Sequence, residues 1–207
     1  MVKLLIGTRS AGKQREFRRL FAGAPFELLF PDDAGIAESP AEDALELHES
    51  FEGNARAKAE YFAKRSRLPT VADDSGLEVF SLGGEPGVRS RRWAQATGST
   101  DAVDAANNAM LLRRLAGAPD NRRRARYRCV LVLARSASAI PEPFEGACGG
   151  LITPEPRGDH GFGYDPYFLS DDLGRTFGEA GDDEKDAVSH RGRAVRALLA
   201  SLSTHPL

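Results

Sequence analysis

The sequence predicts an α/β fold in which helices flank a mixed β-sheet. Short apolar runs typical of buried strands alternate with segments of helical periodicity along the 207 residues. Residues 126–152 resemble an antiparallel pair, which makes the sheet mixed. Apolar residues make up 41% and charged residues 28% of the chain, as expected for a globular protein with a sizeable core. No repeat, low-complexity segment or composition break marks a linker, so we expect one domain over residues 1–207.

In the first part of the chain, apolar runs predict strands and an apolar face at helical spacing predicts helices. Phe17, Leu20 and Phe21, for example, lie at i, i+3 and i+4 and form one face of a helix. In chain order, the predicted elements are a strand over 3–8, a helix over 12–22, a strand over 26–30, an acidic loop over 31–45, a helix over 51–66 and a strand over 69–73.

In the second part, Asp74, Ser75 and Gly76 are expected to end the third strand, since these residues are rare inside strands. Apolar periodicity and glycine-rich breaks divide the rest. The predicted elements are an extended segment over 77–82, a tight loop over 83–87, a helix over 103–115, a strand over 126–135, one or two strands over 144–152, a glycine-rich loop over 158–166 and a closing helix over 189–202.

Composition excludes several classes of protein. Two cysteines, Cys129 and Cys148, form no disulfide framework. No run approaches the ~18–20 apolar residues of a membrane helix, so no membrane partner is expected. The first residues are interrupted by charge too early for a secretory signal, which favours a cytoplasmic location.

Charge is distributed unevenly, although the net charge is only −2. No lysine or arginine lies between Arg19 and Arg56, where nine acidic residues occur, and a second acidic stretch covers 171–186. The basic run comprises Arg113, Arg114, Arg122, Arg123, Arg124, Arg126 and Arg128. This run is either a solvated surface or a nucleic-acid patch. The acidic balance and the lack of interleaved aromatic residues favour the former, so no nucleic-acid partner is expected.

The first candidate site is the sequence Thr-Arg-Ser-Ala-Gly-Lys at residues 8–13, between a predicted strand and a helix. Gly12 permits close backbone approach, the helix N-terminus presents free N–H groups, and Lys13 adds a full charge. Phosphate is the ligand that suits this combination. A P-loop is an alternative, but Gln14 stands where that motif needs a serine or threonine for magnesium. A plain turn is the third interpretation.

A pair of carboxylates, Asp73 and Asp74, forms the second candidate site. They belong either to an ordinary Asp-Ser-Gly turn or to a metal or general-base site at a strand end. Because adjacent strand residues face opposite ways, only one of the two is expected to point into a given site.

Two further segments could recognise a nucleobase. In residues 161–166, glycines bracket Phe162 and a second aromatic residue, Tyr164, follows, so the loop can offer a ring face to a planar base. A packed loop with an aromatic plug is the alternative. Lys185 lies in an acidic stretch, and His190 and Arg191 follow Ser189, a good N-cap for the last helix. These side chains serve either in ligand recognition or in structure.

Read together, these segments resemble the inosine triphosphate pyrophosphatase family, enzymes that hydrolyse non-standard purine nucleoside triphosphates. The matching pieces occur in family order along almost the whole chain: residues 8–13 with Glu16, 51–59, 72–77, 83–87, 161–168 and 189–192. The resemblance implies an elongated sheet, two lobes with a central active-site cleft, a homodimer, magnesium as cofactor and release of pyrophosphate. One departure is Ser10, where the family usually has asparagine.

The resemblance also implies a role for each matched residue. Asp74 would be the general base and a metal ligand, and Glu46 the second metal carboxylate. The substrate-binding residues would be Thr8, Arg9, Ser10, Ala11, Gly12, Lys13, Ser75, Phe162, Gly163, Tyr164, Asp165, Lys185, His190 and Arg191. Of these, 8–13 would bind the triphosphate, 162–165 the base and sugar. A nucleotide pyrophosphatase of the septum-inhibitor type and a non-catalytic nucleotide or nucleic-acid binding module remain alternatives.

Overall fold

The computed structural model describes all residues, 1–207, and contains six strands and five α-helices. The strands are β1 (Val2–Ile6), β2 (Phe26–Leu29), β3 (Thr70–Val79), β4 (Arg124–Ala134), β5 (Glu142–Ile152) and β6 (Phe168–Ser170). The α-helices are α1 (Ala11–Leu20), α2 (Phe51–Ser66), α3 (Thr100–Arg114), α4 (Asp182–Val188) and α5 (His190–Thr204).

All six strands belong to one sheet, in the order β2-β1-β3-β4-β5-β6. Strand β1 pairs in parallel with β2 and with β3, whereas β5 and β6 are antiparallel. The predicted α/β class with a mixed sheet and flanking helices is therefore confirmed. No helix is both long enough and apolar enough to cross a membrane.

The chain divides into two compact units, each assembled from separate segments. The first unit contains 1–74, 129–146 and 191–207, and the second contains 75–128 and 147–190. The predicted cleft between two lobes stays a prediction, as does the treatment of 1–207 as one functional domain.

Each unit has its own apolar core. In the first unit, side chains of β1, β3 and β4 pack with Phe17 and Phe21 of α1 and with Val195 and Leu198 of α5. In the second unit, Leu77 of β3, Leu111 of α3 and the rings of Tyr127, Phe168 and Phe177 form the core. The buried apolar runs and apolar helix faces that the sequence indicated thus pack into separate clusters, with a smaller one around Leu5, Ile36 and Phe62 in the first unit.

Helix α2 has the predicted bounds, and its start is capped by Ser50, whose hydroxyl accepts from the Gly53 N–H. The largest difference from prediction is β3, which continues through Asp73, Asp74, Ser75 and Gly76 instead of ending there. The two aspartates stay in a buried strand because lysine and arginine side chains neutralise them. Helix α4 and strand β6 were not predicted; α4 lies in the acidic stretch, which has no strong apolar periodicity.

Close packing explains why glycine stands at position 76 in this strand. A Cβ there would lie 2.3 Å from the Ser90 Oγ and 2.4 Å from the Gly87 carbonyl oxygen. The Ser90 hydroxyl also accepts from the Leu77 N–H at 2.9 Å and donates to the Gly87 carbonyl at 2.6 Å. Gly76 therefore permits the 87–90 segment to lie directly on β3.

The basic run is explained by pairing within the chain at several of its positions. Arg114, Arg124 and Arg126 form ion pairs with Glu85, Asp171 and Glu78. Arg123 is buried and donates to the carbonyl oxygens of Leu115, Ala118 and Ile152. These contacts favour the structural interpretation of the run, and the expected lack of a nucleic-acid partner stays a prediction.

Candidate active site

The turn between β1 and α1 brings backbone N–H groups and a lysine together. Helix α1 begins at Ala11, and the Ser10 hydroxyl caps it by accepting from the Lys13 N–H at 3.5 Å. The Thr8 hydroxyl accepts from the Ser10 N–H at 3.3 Å. Ser10 therefore supplies the N-cap here, and the first helical N–H groups lie beside Lys13, an arrangement suited to an anion.

A P-loop does not account for this turn. Gly7 lies directly after β1, and a Cβ on it would come within 2.8 Å of the Phe62 ring. Its N–H also donates to the Val71 carbonyl at 2.7 Å. Gly7 is thus required for packing between β1 and α2, not for wrapping a phosphate.

The Arg9 guanidinium is held by the acidic segment that follows β2. It makes a two-point contact with Glu42, at 2.6 and 2.8 Å, and donates to Asp32 at 2.7 Å and to the Ile36 carbonyl at 3.0 Å. These bonds tie the segment that leads to Glu46 to the turn before α1. The guanidinium is therefore occupied within the protein, whereas the Arg9 backbone belongs to the turn itself.

Asp73 lies at the centre of a buried charge cluster. Its carboxylate is 2.8 Å from the Lys13 Nζ and 3.2 Å from Nη2 of Arg191, while Arg191 also pairs with Glu16. Burial pushes the pKa of Asp73 upward, but the charges of Lys13 and Arg191 outweigh it and hold the pKa well below its usual range. The Asp73 carboxylate therefore holds Lys13 and Arg191 through ion pairs.

Asp74 has a different set of partners, as the alternation of side chains in a strand predicts. Its carboxylate accepts from Asn54 at 2.8 Å and from the Lys58 Nζ at 3.3 Å, and Lys58 also donates to Glu46 at 2.9 Å. Burial lowers the pKa of Lys58, but the charges of Asp74 and Glu46 outweigh it and raise the pKa above its usual range. One ammonium group thus joins the two predicted metal carboxylates.

The chemistry of Glu46 and Asp74 fits a magnesium ion. Both are hard carboxylate ligands that already converge on a single cation, and Glu46 keeps 41% of its side chain exposed. No group of three or more His, Cys, Asp or Glu side chains forms a closed metal site anywhere in the chain. Asp74 is buried at 6% exposure, so the pair combines one buried and one solvent-accessible carboxylate. Such a pair suits Mg²⁺, which usually keeps several waters of its own.

In the second unit, the predicted base-recognition residues gather around Asp165. Its carboxylate accepts from the Lys185 Nζ at 2.6 Å, from the Phe162 N–H at 2.9 Å and from the Tyr127 hydroxyl at 3.3 Å. Lys185 and Asp165 are each 4% exposed at the side chain. The Lys185 ammonium also lies 5.0 Å from the centre of the Phe162 ring. Lys185 and Phe162 are therefore positioned by one acid.

The two loop aromatics differ in accessibility. Tyr164 is 4% exposed and belongs to the core, and its hydroxyl donates to the Ser90 carbonyl at 2.9 Å. Burial and the nearby charge of Asp104 raise the pKa of Tyr164, which keeps this donor protonated. Phe162 is only partly buried. Of the two rings, Phe162 is the one that can offer a face to a ligand.

His190 and Ser75 complete the predicted residues of the second unit. The His190 ring is buried and stacks on Tyr127, with ring centres 4.7 Å apart and planes inclined by 9°. Ser75 follows Asp74 in β3 and is half-buried. The structure thus collects 8–13, Glu46, Asp74 and Arg191 in the first unit, and the other predicted residues in the second.

Sequence reasoning assigned no role to Asn54, Lys58 or Tyr127. Asn54 and Lys58 are four residues apart on α2, so they share a helix face, and this spacing of two polar side chains could have indicated a site. Tyr127 lies in β4 between Arg126 and Arg128, where no motif marks it.

Comparison with known proteins agrees with this geometry. The Ham1 family matches residues 4–201. Two relatives are each named dITP/XTP pyrophosphatase. The one from Halorhodospira halophila is 45% identical over 204 residues, covering 98% of both chains. The one from Lactobacillus acidophilus is 42% identical over 208 residues, covering 97% of this chain and 96% of the relative.

Solved structures give the same result. A HAM1 protein from Coxiella burnetii superposes with a TM-score of 0.84 at 33% identity, covering 99% of this chain and 100% of the other. A protein from Mycobacterium abscessus, titled nucleoside-triphosphatase / dITP/XTP pyrophosphatase, has a TM-score of 0.72 at 41% identity, covering 96% and 99%. Since sequence and fold agree over nearly the full length of the chain, the protein belongs to the Ham1 family.

Proposed function

We propose that the protein hydrolyses non-standard purine nucleoside triphosphates, namely those of inosine, deoxyinosine and xanthosine, to the monophosphate and pyrophosphate. The observation that carries this proposal is the convergence of Asp74 and Glu46 on Lys58. The first unit also contains Lys13 and the N-terminus of α1. The names of the relatives, which are dITP/XTP pyrophosphatases, support the choice of substrate.

In this proposal, the turn at 8–13 binds the triphosphate. Lys13, the Thr8 and Ser10 hydroxyls and the N–H groups of Arg9, Ala11 and Gly12 supply positive potential and hydrogen-bond donors. Asp73 holds Lys13 in place, since the two groups are 2.8 Å apart. The Arg9 guanidinium acts indirectly by holding the acidic segment.

Asp74 is the proposed general base. It takes a proton from a water molecule, whose oxygen forms a bond to the α-phosphorus while the bond from that phosphorus to the bridging oxygen breaks. Pyrophosphate leaves with the bonding electron pair. Asn54 and Lys58 orient the Asp74 carboxylate for this step. Glu46 and Asp74 would hold Mg²⁺, which supplies positive charge to the phosphate oxygens.

The residues around Asp165 are proposed to recognise the base and sugar. Phe162 offers a ring face with the Lys185 ammonium beside it, and Gly163 and Tyr164 shape the loop. His190, which stacks on Tyr127, completes the predicted recognition set. Ser75 contributes a substrate contact. Arg191 contributes by holding Asp73 and Glu16, as its buried guanidinium pairs with both. The 6-oxo group of hypoxanthine or xanthine accepts hydrogen bonds, whereas the 6-amino group of adenine donates them. Hydrogen-bond donors in this region therefore favour hypoxanthine and xanthine over adenine.

A nucleotide panel tests the function. With Mg²⁺ present, we expect kcat/KM for the triphosphates of inosine and xanthosine to exceed that for ATP by up to about 10⁴, because a donor that faces the adenine amino group is left unpaired. Pyrophosphate and orthophosphate are assayed separately. Orthophosphate from ATP would contradict the proposal. A preference for pyrimidine nucleotides would favour the septum-inhibitor type of pyrophosphatase, and salt-sensitive nucleic-acid binding without hydrolysis would favour a binding module.

Two lysines are expected to act on different parts of the substrate. Lys13→Ala should lower kcat/KM by about 10- to 100-fold for every triphosphate alike, since it removes a charged donor from the phosphate region. Lys185→Ala should lower kcat/KM by factors that differ from one nucleobase to another. The measurement is the ratio of kcat/KM between inosine triphosphate and ATP, which a general loss of folded protein does not change. If the two variants gave the same ratio of kcat/KM between inosine triphosphate and ATP, this division of roles would be contradicted.

The proposed oligomeric state and cellular location rest on the family resemblance. A homodimer located in the cytoplasm, where the nucleotide pool is found, is part of the proposal. Sedimentation of the purified protein tests the dimer.

A further inference from the structure

Both polar groups of the Gly163 backbone are held by side chains of helix α3. The Gly163 N–H donates to Oδ2 of Asp104 at 2.9 Å, and the Gly163 carbonyl accepts from Nδ2 of Asn108, also at 2.9 Å. Asp104 and Asn108 are four residues apart, so they lie on one face of α3. Gly163 stands between Phe162 and Tyr164 of the loop proposed to recognise the base.

These two hydrogen bonds restrain both polar backbone atoms of Gly163. Its φ is +65°, and a Cβ built on it would find no atom within 4 Å, so no neighbouring atom packs against that side of the residue. A carboxylate that accepts from a backbone N–H makes a strong, charge-assisted bond. Helix α3 therefore contributes directly to the orientation of the backbone at Gly163.

Each neighbouring residue has an anchor of its own. The Phe162 N–H is bonded to Asp165, and the Tyr164 hydroxyl is bonded to the Ser90 carbonyl. The peptide between Phe162 and Gly163 has its N–H on Asp104, and its carbonyl, that of Phe162, accepts from the Asp165 N–H at 3.3 Å. Release of Gly163 would thus free the backbone between the two rings without removing either ring.

The Asn108 side chain uses its amide nitrogen, and not its oxygen, in hydrogen bonding. Its Oδ1 is buried and accepts no hydrogen bond, while Nδ2 holds Gly163. A buried polar atom without a partner opposes folding, and an apolar side chain of similar size would avoid this cost. The bond to Gly163 is the gain that accompanies an asparagine at this position.

We propose that Asp104 and Asn108 are positioning residues for base recognition, which act by fixing Gly163 between Phe162 and Tyr164. The proposal rests on the function proposed above for this loop. In this role both side chains act through Gly163 and not by direct contact with the substrate. Their substitution should weaken nucleotide binding and base discrimination while it leaves the hydrolytic step at Asp74 largely intact.

The test compares variants that do and do not break the contact. Asp104→Ala and Asn108→Leu should each raise KM for inosine triphosphate about tenfold, the equivalent of one hydrogen bond, and change kcat by less than about twofold. The preference for inosine triphosphate over ATP should fall about tenfold. Asp104→Asn keeps an acceptor oxygen for the Gly163 N–H and should restore most of the wild-type KM.

Two controls separate positioning from stability. Arg91→Ala removes the 3.1 Å ion pair with Oδ1 of Asp104 but leaves the bond to Gly163, and Asp101→Ala removes an exposed acid from the same helix. Both should keep the wild-type KM and selectivity. Thermal unfolding of each variant identifies a temperature at which that variant is folded, and the assays are run there. If Asp104→Ala does not fold, the test uses Asn108→Leu, which removes no charge.

The outcomes are distinct for the two proposals. If the wild-type protein releases no pyrophosphate from inosine triphosphate, the proposed function fails. If it does, but Asp104→Ala and Asn108→Leu keep KM and selectivity within about twofold of wild type, the positioning role is overturned. A loss of thermal stability with unchanged KM in the folded variants would likewise overturn it.

Discussion

Replacement of Asp74 with asparagine is expected to lower kcat for pyrophosphate release from inosine triphosphate by about 10³-fold, within the range that general base catalysis contributes. The amide is neither a base nor a good ligand for Mg²⁺. Its oxygen can still accept from Asn54, which donates to Asp74 at 2.8 Å, so the strand should stay folded. Steady-state kinetics at saturating Mg²⁺, together with circular dichroism, provide the measurement.

The matched control for Asp74→Asn is Asp73→Asn, the same change at the next residue of β3. Asp73 is bonded to Lys13 and Arg191 rather than to Lys58, so its loss should reduce stability and weaken phosphate binding, with a smaller effect on kcat. A greater loss of kcat in folded Asp73→Asn would mean that the two carboxylates have exchanged roles. Near wild-type turnover in Asp74→Asn would refute the proposed base.

Replacement of Arg191 with leucine is expected to lower the free energy of unfolding by about 3–5 kcal/mol, the usual effect of removing one partner from a buried ion pair. The guanidinium is 2% exposed at the side chain and pairs with both Glu16 and Asp73, which would be left buried with less compensation. In a chain of this size the midpoint of thermal unfolding should fall by about 10 °C. Differential scanning calorimetry gives the measurement.

The control is Arg196→Leu, an exposed arginine on the same helix, which should change the free energy of unfolding by less than about 0.5 kcal/mol. Glu16→Leu combined with Arg191→Leu should recover part of the loss, since it removes one of the two stranded carboxylates. If Arg191→Leu is as stable as wild type but no longer distinguishes inosine triphosphate from ATP, Arg191 reads the base directly.

Local sequence patterns were sufficient to predict much of the fold and to recognise the family. Helix α2 could be bounded correctly because its apolar face, which includes Phe51, Ala55 and Phe62, repeats at helical spacing. The strand–turn–helix at residues 8–13 and the glycine-rich loop at 161–166 were recognisable because their residue types serve one local geometry. Such patterns involve residues that are close together in the chain, so they can be recognised from the sequence alone.

The tertiary structure decided which charges meet. Glu16 and Arg191 are 175 residues apart in the chain, and Arg191 and Asp73 are 118 apart, so no periodicity relates them. Asp73 and Asp74 could have formed a turn; they remain in β3 because distant cations, Lys13, Arg191 and Lys58, neutralise them there. The roles of Asn54, Lys58 and Asp104 emerge in the same way, because an ion pair or hydrogen bond between distant segments depends on how those segments pack.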